Sequence, residues 1–297
     1  MISDFTTARH GCRRPPAGIA LLPVGPHNGC QVAAALSAHK AAREGRKVMD
    51  PREDRFVVEA FDCRPDGFLK PNALMQYLQE AAARHAEQLG VGLADLERRD
   101  GFWVLANLRV EMADIPRWRD AVTVRTWPSG CTRLAAAREF LGTGPDGRER
   151  FRATSEWMIL DKHSGRPKNL GRLDLSLPQA GPKVLRTELR RLQPVGTYTS
   201  AGTISVPYSA LDFNGHVNNT EYVRWALDGL RRHLGCCPPP YVMQATYLAE
   251  VFESEEIEVL VSADGAGPIR LLERRTGGAD RTNVFLLEIS GEGSTGQ

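Results

Sequence analysis

From residue 55 onward the apolar positions of this chain fall into two recurring patterns. Leu74, Tyr77, Leu78, Ala81, Ala82 and Leu89 return every three or four positions and predict one amphipathic helix. Tyr222, Trp225, Ala226, Leu230 and Leu234 predict a second in the same way. Behind the first come four segments of strand character, Phe102–Met112, Ala121–Trp127, Leu134–Gly142 and Glu149–Leu160, with a hairpin signal at Gly144-Pro-Asp-Gly147. Behind the second come Tyr241–Phe252, Ile257–Ala263, Pro268–Arg275 and Thr282–Ile289, with a turn at Gly277-Gly278. The two patterns are copies. Asp66-Gly67-Phe68-Leu69 lies on Asn214-Gly215-His216-Val217, 148 residues later, and the same spacing lays Leu74 on Tyr222 and Tyr77 on Trp225. Aligning Trp103 with Tyr241 sets Met112 opposite Glu250. Each copy therefore reads strand, long helix, four strands, and predicts an α+β fold in which a curved antiparallel sheet wraps a helix.

The ends and the middle of the chain break this pattern. Residues 1–54 are rich in Gly, Pro, Ala and basic residues, and predict a disordered leader with Met49 as an alternative start. A short helix over Val32–Arg46 is the one element conceivable there. The first copy then runs over 55–170, and the second over 200–297. Between them, 171–199 is punctuated by proline and carries Lys183, Arg186, Arg190 and Arg191, which predicts a basic linker with one helix, Val184–Leu192, lying over the outside.

Composition narrows the class. Among 297 residues, 42% are hydrophobic and 25% charged, as in soluble globular proteins, and a net charge of +2 argues against a global nucleic-acid-binding role. No apolar run is long enough for a membrane span. The six cysteines form neither a C-x-x-C pair nor a metal-ligand spacing, so reduced thiols in a cytoplasmic protein are expected.

The chemistry concentrates in Asp212-Phe-Asn214-Gly-His216-Val-Asn218-Asn219. A carboxylate, an amide and an imidazole stand at alternate positions just before the second helix, so an extended backbone would turn all three to one side. The free N–H groups of that helix point toward the same spot. A hydrolytic site needs those parts: a base or nucleophile, an orienting group and donors for an oxyanion. Asn218 with Glu221 reads as a capping box. The first copy has Arg64 and Phe68 where the second has Asp212 and His216, and so reads as catalytically inactive. His85 reads as a packed or surface histidine, and Trp103, Trp225 and Tyr241 as core residues.

These tandem copies resemble the acyl-ACP thioesterases, double hot-dog proteins of plants and bacteria. The resemblance covers roughly Arg55 to Ile289, and rests on Asn72-Ala-Leu-Met-Gln-Tyr-Leu-Gln-Glu-Ala-Ala-Ala83 with His85-Ala86, on Trp103-Val-Leu105, Ile115-Pro-Arg-Trp118, Thr126-Trp-Pro128 and Gly165-Arg-Pro167, and above all on the 212–219 segment. It implies a tandem double hot-dog fold and hydrolysis of the thioester between a fatty acyl chain and acyl carrier protein. It implies no metal and no organic cofactor, and a monomer or a homodimer. The family's catalytic set, carried onto matching positions, is Asp212, Asn214, His216 and Glu250, while the first half accommodates the acyl chain. Plant members have a Glu-Cys pair where this chain has Glu250-Val251, so a cysteine nucleophile is not available there and the carboxylates must carry the chemistry. Oxyanion donors are expected among the backbone N–H groups of Val217 to Asn219. An acyl-CoA thioesterase of the same fold and a non-catalytic acyl-binding module are the alternatives. Acyl carrier protein is acidic, which gives Arg186, Arg190 and Arg191 a docking role to test.

Overall fold

The computed structural model describes residues 50–173, 175, 181–185, 187–236, 241–263, 267–277 and 281–291. The expected leader up to residue 49, the helix over Val32–Arg46 and Arg186 lie outside the described residues. The folded chain starts before the expected boundary at 54/55, because strand β1 runs over Arg52–Val57. Its Asp54, 7% exposed, pairs with Arg52 at 2.6 Å and with Arg84 at 3.1 Å, which ties this first strand to a helix thirty residues on.

In the first half, β1 is followed by helix α1 (Pro71–Gln88), a short helix α2 (Leu93–Glu97) and strands β2 (Gly101–Met112), β3 (Ala121–Cys131), β4 (Ala135–Thr143) and β5 (Glu149–Asp161). In the second, β6 (Thr199–Ser205) leads to helix α3 (Asn219–Leu234) and strands β7 (Val242–Tyr247), β8 (Glu256–Ser262), β9 (Ile269–Arg275) and β10 (Asn283–Ser290). All ten strands form one sheet in the order β1-β3-β4-β5-β2-β7-β10-β9-β8-β6, every neighbouring pair antiparallel. The order is the same read from either end once each strand is replaced by its counterpart, and the midpoint is the β2–β7 seam.

The two helices occupy equivalent places against the sheet and touch each other. α1 starts with Pro at its first position, where a missing N–H costs nothing, and buries Ala73, Leu74, Leu78, Ala81 and His85. Leu89, expected on that face, is instead the half-buried C-cap residue, and His85 takes the inward place. α3 buries Tyr222, Val223, Trp225, Ala226, Gly229 and Leu230, whereas Leu234 is 38% exposed, one residue before the left-handed Gly235 that ends the helix. A Cβ on Gly229 would stand 2.5 Å from Val259 Cγ1, so glycine is what lets α3 settle onto β8.

The linker holds no helix over Val184–Leu192 among its described residues. It lies over the outside as expected, but extended, because polar side chains on the outer face of the sheet take its backbone groups. Val184 N–H donates to Glu139 (3.2 Å), Gln244 donates to the Arg190 carbonyl (2.5 Å) and Leu192 N–H donates to Thr246 (3.0 Å). Leu192 then packs on Leu260, Leu272 and Leu286. A segment whose hydrogen bonds go sideways to a sheet has none left for a helical ladder.

Candidate active site

Asp212 to His216 form a tight turn, and not the extended run that alternate spacing suggested. Asp212 N–H donates to the His216 carbonyl (2.8 Å) and Gly215 N–H to the Asp212 carbonyl (3.0 Å), with Gly215 at φ +77°. The Asp212 carboxylate organises the turn from inside, its Oδ1 accepting the N–H groups of Asn214 (2.8 Å) and His216 (3.3 Å). Asn214 is solvent-exposed at the tip and meets Asp212 through its backbone, so an orienting role for its side chain finds no hydrogen-bond partner among the described residues.

His216 leaves the turn toward the segment after β7. Its Nδ1 is 3.5 Å from Glu250 Oε1, and both side chains are about three-quarters buried. Two aromatic rings hold the imidazole: Phe252, edge-on at 5.0 Å, and Phe102 from β2 of the first half at 5.7 Å. Neither phenylalanine was marked by the sequence, since a lone aromatic at a strand end carries no motif. Burial holds the Glu250 carboxyl above the usual carboxylate range; His216 opposes that shift and Asp212 adds to it. Three groups on two segments therefore sense one another, and Glu250 Oε1 is buried with no hydrogen-bond partner among the described residues. The structure thus brings Asp212, His216 and Glu250 together and leaves Asn214 outside.

Glu250 is held from behind. Arg275 donates to the Glu250 carbonyl (2.6 Å) and pairs with Glu255 (2.9 Å), and Glu255 also accepts Phe252 N–H (3.3 Å). Val251, fully buried, gives its carbonyl to Val217 N–H (2.9 Å), which fastens the two site segments to each other.

The α3 N-terminus supplies fewer donors than expected. Val217 N–H is spent on Val251 and Asn218 N–H on the Ala210 carbonyl (2.9 Å). Asn218 does cap the helix, accepting Thr220 N–H at 3.0 Å, but the capping box is incomplete, because Glu221 pairs with Arg224 and the Asn218 N–H is already taken. Asn219 N–H alone, of the three expected donors, has no acceptor among the described residues. Tyr247 pins this turn by donating to the Asn219 carbonyl (2.9 Å).

Matching hydrogen bonds identify the counterpart site in the first half. Arg64 N–H to Phe68 O (2.8 Å), Gly67 N–H to Arg64 O (2.9 Å) and Leu69 N–H to Pro116 O (2.8 Å) repeat the bonds of Asp212, Gly215 and Val217. Arg64 and Phe68 thus stand in place of Asp212 and His216, as expected. The residue facing Glu250 is Ile115, one before Pro116, and not Met112. Ile115 lies as far beyond the end of β2 at Met112 as Glu250 lies beyond the end of β7 at Tyr247, so it is the pairing of Trp103 with Tyr241 that was out of register.

Both halves of the chain have relatives among known proteins. Residues 52–171 match the acyl-ACP thioesterase N-terminal domain, and residues 197–285 the C-terminal domain. The chain is 22% identical over 264 residues to an oleoyl-acyl carrier protein thioesterase of Arabidopsis thaliana, covering 81% of this chain and 72% of that one. It is 26% identical over 188 residues to a palmitoyl-acyl carrier protein thioesterase of Gossypium hirsutum, where it spans 45% of the relative. An acyl-ACP thioesterase from Bacteroides thetaiotaomicron shares the fold with a TM-score of 0.71 at 24% identity, over 80% of this chain and 96% of that one. The 12:0-ACP thioesterase from Umbellularia californica does so with a TM-score of 0.68 at 21% identity, over 81% and 96%. With both of its halves matched in order and the polar cluster confined to the second, this chain belongs to the acyl-ACP thioesterase family.

Proposed function

We propose that the cluster of Asp212, His216 and Glu250 hydrolyses the thioester joining a fatty acyl chain to the phosphopantetheine arm of acyl carrier protein, releasing a free fatty acid. The observation that carries this reading is the pairing of a buried carboxyl, Glu250, with an imidazole and a second carboxylate at the start of a helix. A thioester needs little help for its leaving thiolate. It needs an attacking oxygen and a stabilised oxyanion. Glu250, its carboxyl raised by burial and opposed in that by His216, is placed to take a proton from water. Asp212, with Oδ1 fixed by two N–H groups, has Oδ2 left to share that water. The Asn219 N–H, at the positive end of α3, is the donor for the oxyanion. Val251 contributes no nucleophile, so carboxylate-centred attack is the route.

In this reading the chain is a tandem double hot-dog, with an inactive first half that houses the acyl chain. A small cleft between α1 and the sheet, where Met75, Leu78, Phe140 and Trp157 meet Gln79 and Ser155, is the place this assigns to the acyl chain. The carrier protein is the partner, and Arg190, whose side chain is 69% exposed while it pairs with Glu288, is a candidate docking contact. A cytoplasmic location, and a monomer or homodimer, belong to the same proposal; no helix among the described residues is long and apolar enough to cross a membrane.

The test is thiol release from a panel of acyl-ACPs by the purified protein, with acyl-CoA of matching chains alongside. Turnover of acyl-ACP, lost in Glu250→Gln, supports the reading and names the preferred chain. Faster turnover of acyl-CoA would move the carrier assignment, and acyl binding without thiol release would remove catalysis.

A further inference from the structure

Two tyrosines cross between the segments that carry Asp212, His216 and Glu250. Tyr222 stands in the first turn of α3, and its hydroxyl reaches over to the segment after β7. It donates to the Ala249 carbonyl at 3.5 Å, and the Val251 N–H points at its oxygen. That carbonyl belongs to the peptide before Glu250 and that N–H to the peptide after it. One hydroxyl therefore holds both planes about the Glu250 Cα, and so the direction in which its side chain leaves the backbone. Tyr247 runs the other way. It is the last residue of β7, and it donates to the carbonyl of Asn219, the first residue of α3, at 2.9 Å. The two rings meet edge-on at 5.6 Å, and Phe285 of β10 packs on both, at 5.5 and 4.9 Å. Both tyrosines are buried, so water does not compete for either bond.

The first half does without this pair. Leu74 stands where Tyr222 does, 148 residues earlier, and Met112 ends β2 as Tyr247 ends β7. A helix settles on the sheet there with leucine and methionine at these places, so the packing itself does not call for hydroxyls. Burying a hydroxyl carries a desolvation cost that a leucine or methionine does not. The hydroxyls occur in the half that also carries Asp212, His216 and Glu250, and are missing where Arg64, Phe68 and Ile115 replace them.

Resting on the hydrolase reading above, we propose that Tyr222 and Tyr247 are positioning residues for thioester hydrolysis, Tyr222 aiming the Glu250 carboxyl and Tyr247 fixing the Asn219 end of α3 where the oxyanion forms. Arg275 holds only the Glu250 carbonyl, on the peptide after it, and leaves the peptide before it to Tyr222. Each tyrosine starts on one segment and ends on the other, so the pair sets the spacing between attacking water and oxyanion donor.

The experiment compares the parent with Tyr222→Phe and Tyr247→Phe, each of which keeps the ring and removes one hydroxyl. Thiol release from one acyl-ACP is followed across pH, beside melting temperature and the imidazole NMR shifts of His216. Each substitution is expected to lower kcat about tenfold or more with KM within about twofold of the parent. The melting temperature should fall by no more than about 4 °C. Asp212 and His216 face Glu250; Glu250, Arg275 and Glu273 face Tyr222, and Glu273 faces Tyr247 as well. Burial is what raises the Glu250 carboxyl, so release of its bracket in Tyr222→Phe turns it toward water and moves the acid limb of kcat/KM to lower pH. The His216 shifts then move in the same direction as in Glu250→Gln. Tyr247→Phe acts on the donor and leaves both the limb and those shifts in place. Parent-like kcat in either variant would overturn the proposal, as would losses matched by a fall in melting temperature with the acid limb unmoved. Thiol release abolished by Glu250→Gln but retained in both tyrosine variants removes the positioning roles and leaves the hydrolase standing. If the parent releases no thiol, the hydrolase reading fails, and the His216 shifts in Tyr222→Phe decide whether that hydroxyl aims Glu250.

Discussion

Glu250→Gln is the most informative single change. The substitution keeps shape and removes the proton acceptor, leaving an amide 3.5 Å from His216 Nδ1. At that distance a unit charge pair is worth roughly 1 kcal/mol in water and roughly 5 kcal/mol at an effective dielectric of about 20. Both groups are about three-quarters buried, so their coupling lies between those limits and is large enough to govern titration. Loss of a positioned general base lowers kcat/KM by about 10²–10⁴, or roughly 3–5 kcal/mol of transition-state stabilisation. The assay is initial-rate thiol release from one acyl-ACP, followed from acidic to alkaline pH at constant ionic strength. Glu250 must be ionised to act, so kcat/KM of the parent climbs as pH rises through its raised pKa. Asp212→Asn removes a neighbour that raises this pKa and moves the acid limb to lower pH. His216→Asn removes the group that lowers it and moves the limb to higher pH. Residual activity within about fivefold of the parent in Glu250→Gln, or limbs that move the same way in the other two, would refute the base assignment.

Three further outcomes are expected. Glu273, fully buried beneath α3, has neither oxygen hydrogen-bonded among the described residues, although the Ala226 N–H points at it, and burial raises its pKa well above the ordinary value. Folding therefore retains a proton that the unfolded chain releases. The stability that Glu273 contributes is fully present below the ordinary glutamate pKa and is lost as pH rises toward the folded one. Glu273→Gln should flatten this decline, and thermal melting curves that stay parallel across pH would contradict it. Arg275→Met frees the Glu250 carbonyl and Glu255, and should lower kcat about tenfold with little change in KM, checked by steady-state kinetics with Arg275→Lys as partial rescue. Gly215→Ala meets no neighbouring atom but forces φ +77° on an L side chain; it should cost about 1 kcal/mol, read as a fall of about 2–4 °C in Tm, and reduce turnover by more than that loss explains.

The repeat was legible because turn residues recur with the helices behind them: Gly67 and Gly215 close equivalent turns, and the apolar face of each helix kept its period. The second-copy polar cluster was legible as composition, although the geometry first assigned to it was not. Alternate spacing describes a strand, whereas Asp212 draws the N–H groups of Asn214 and His216 inward and makes a turn, leaving Asn214 at its exposed tip. Glu250 came from family resemblance, and its counterpart was misplaced at Met112 because Trp103 was paired with Tyr241, whereas the strand ends that correspond are Met112 and Tyr247. Phe102, Phe252 and Arg275 were invisible, since their value depends on which strand ends meet. The linker failed for a related reason: Val184–Leu192 has helical spacing, but Gln244, Thr246 and Glu139 compete for its backbone from the sheet.

The β2–β7 seam has a consequence for how such a molecule can change over time. In a symmetric pair of identical chains every substitution is made twice, so a cation introduced at one turn appears at the other and extinguishes both centres. Covalent fusion removes that coupling. Arg64 and Asp212 occupy matching turns in one continuous sheet, joined where Asn107 meets Thr246, and each is answerable to a different selective demand. The cluster of Asp212, His216 and Glu250 is carried by one half alone, and the other is at liberty to acquire a new ligand, a new shape or a new partner while that cluster holds still.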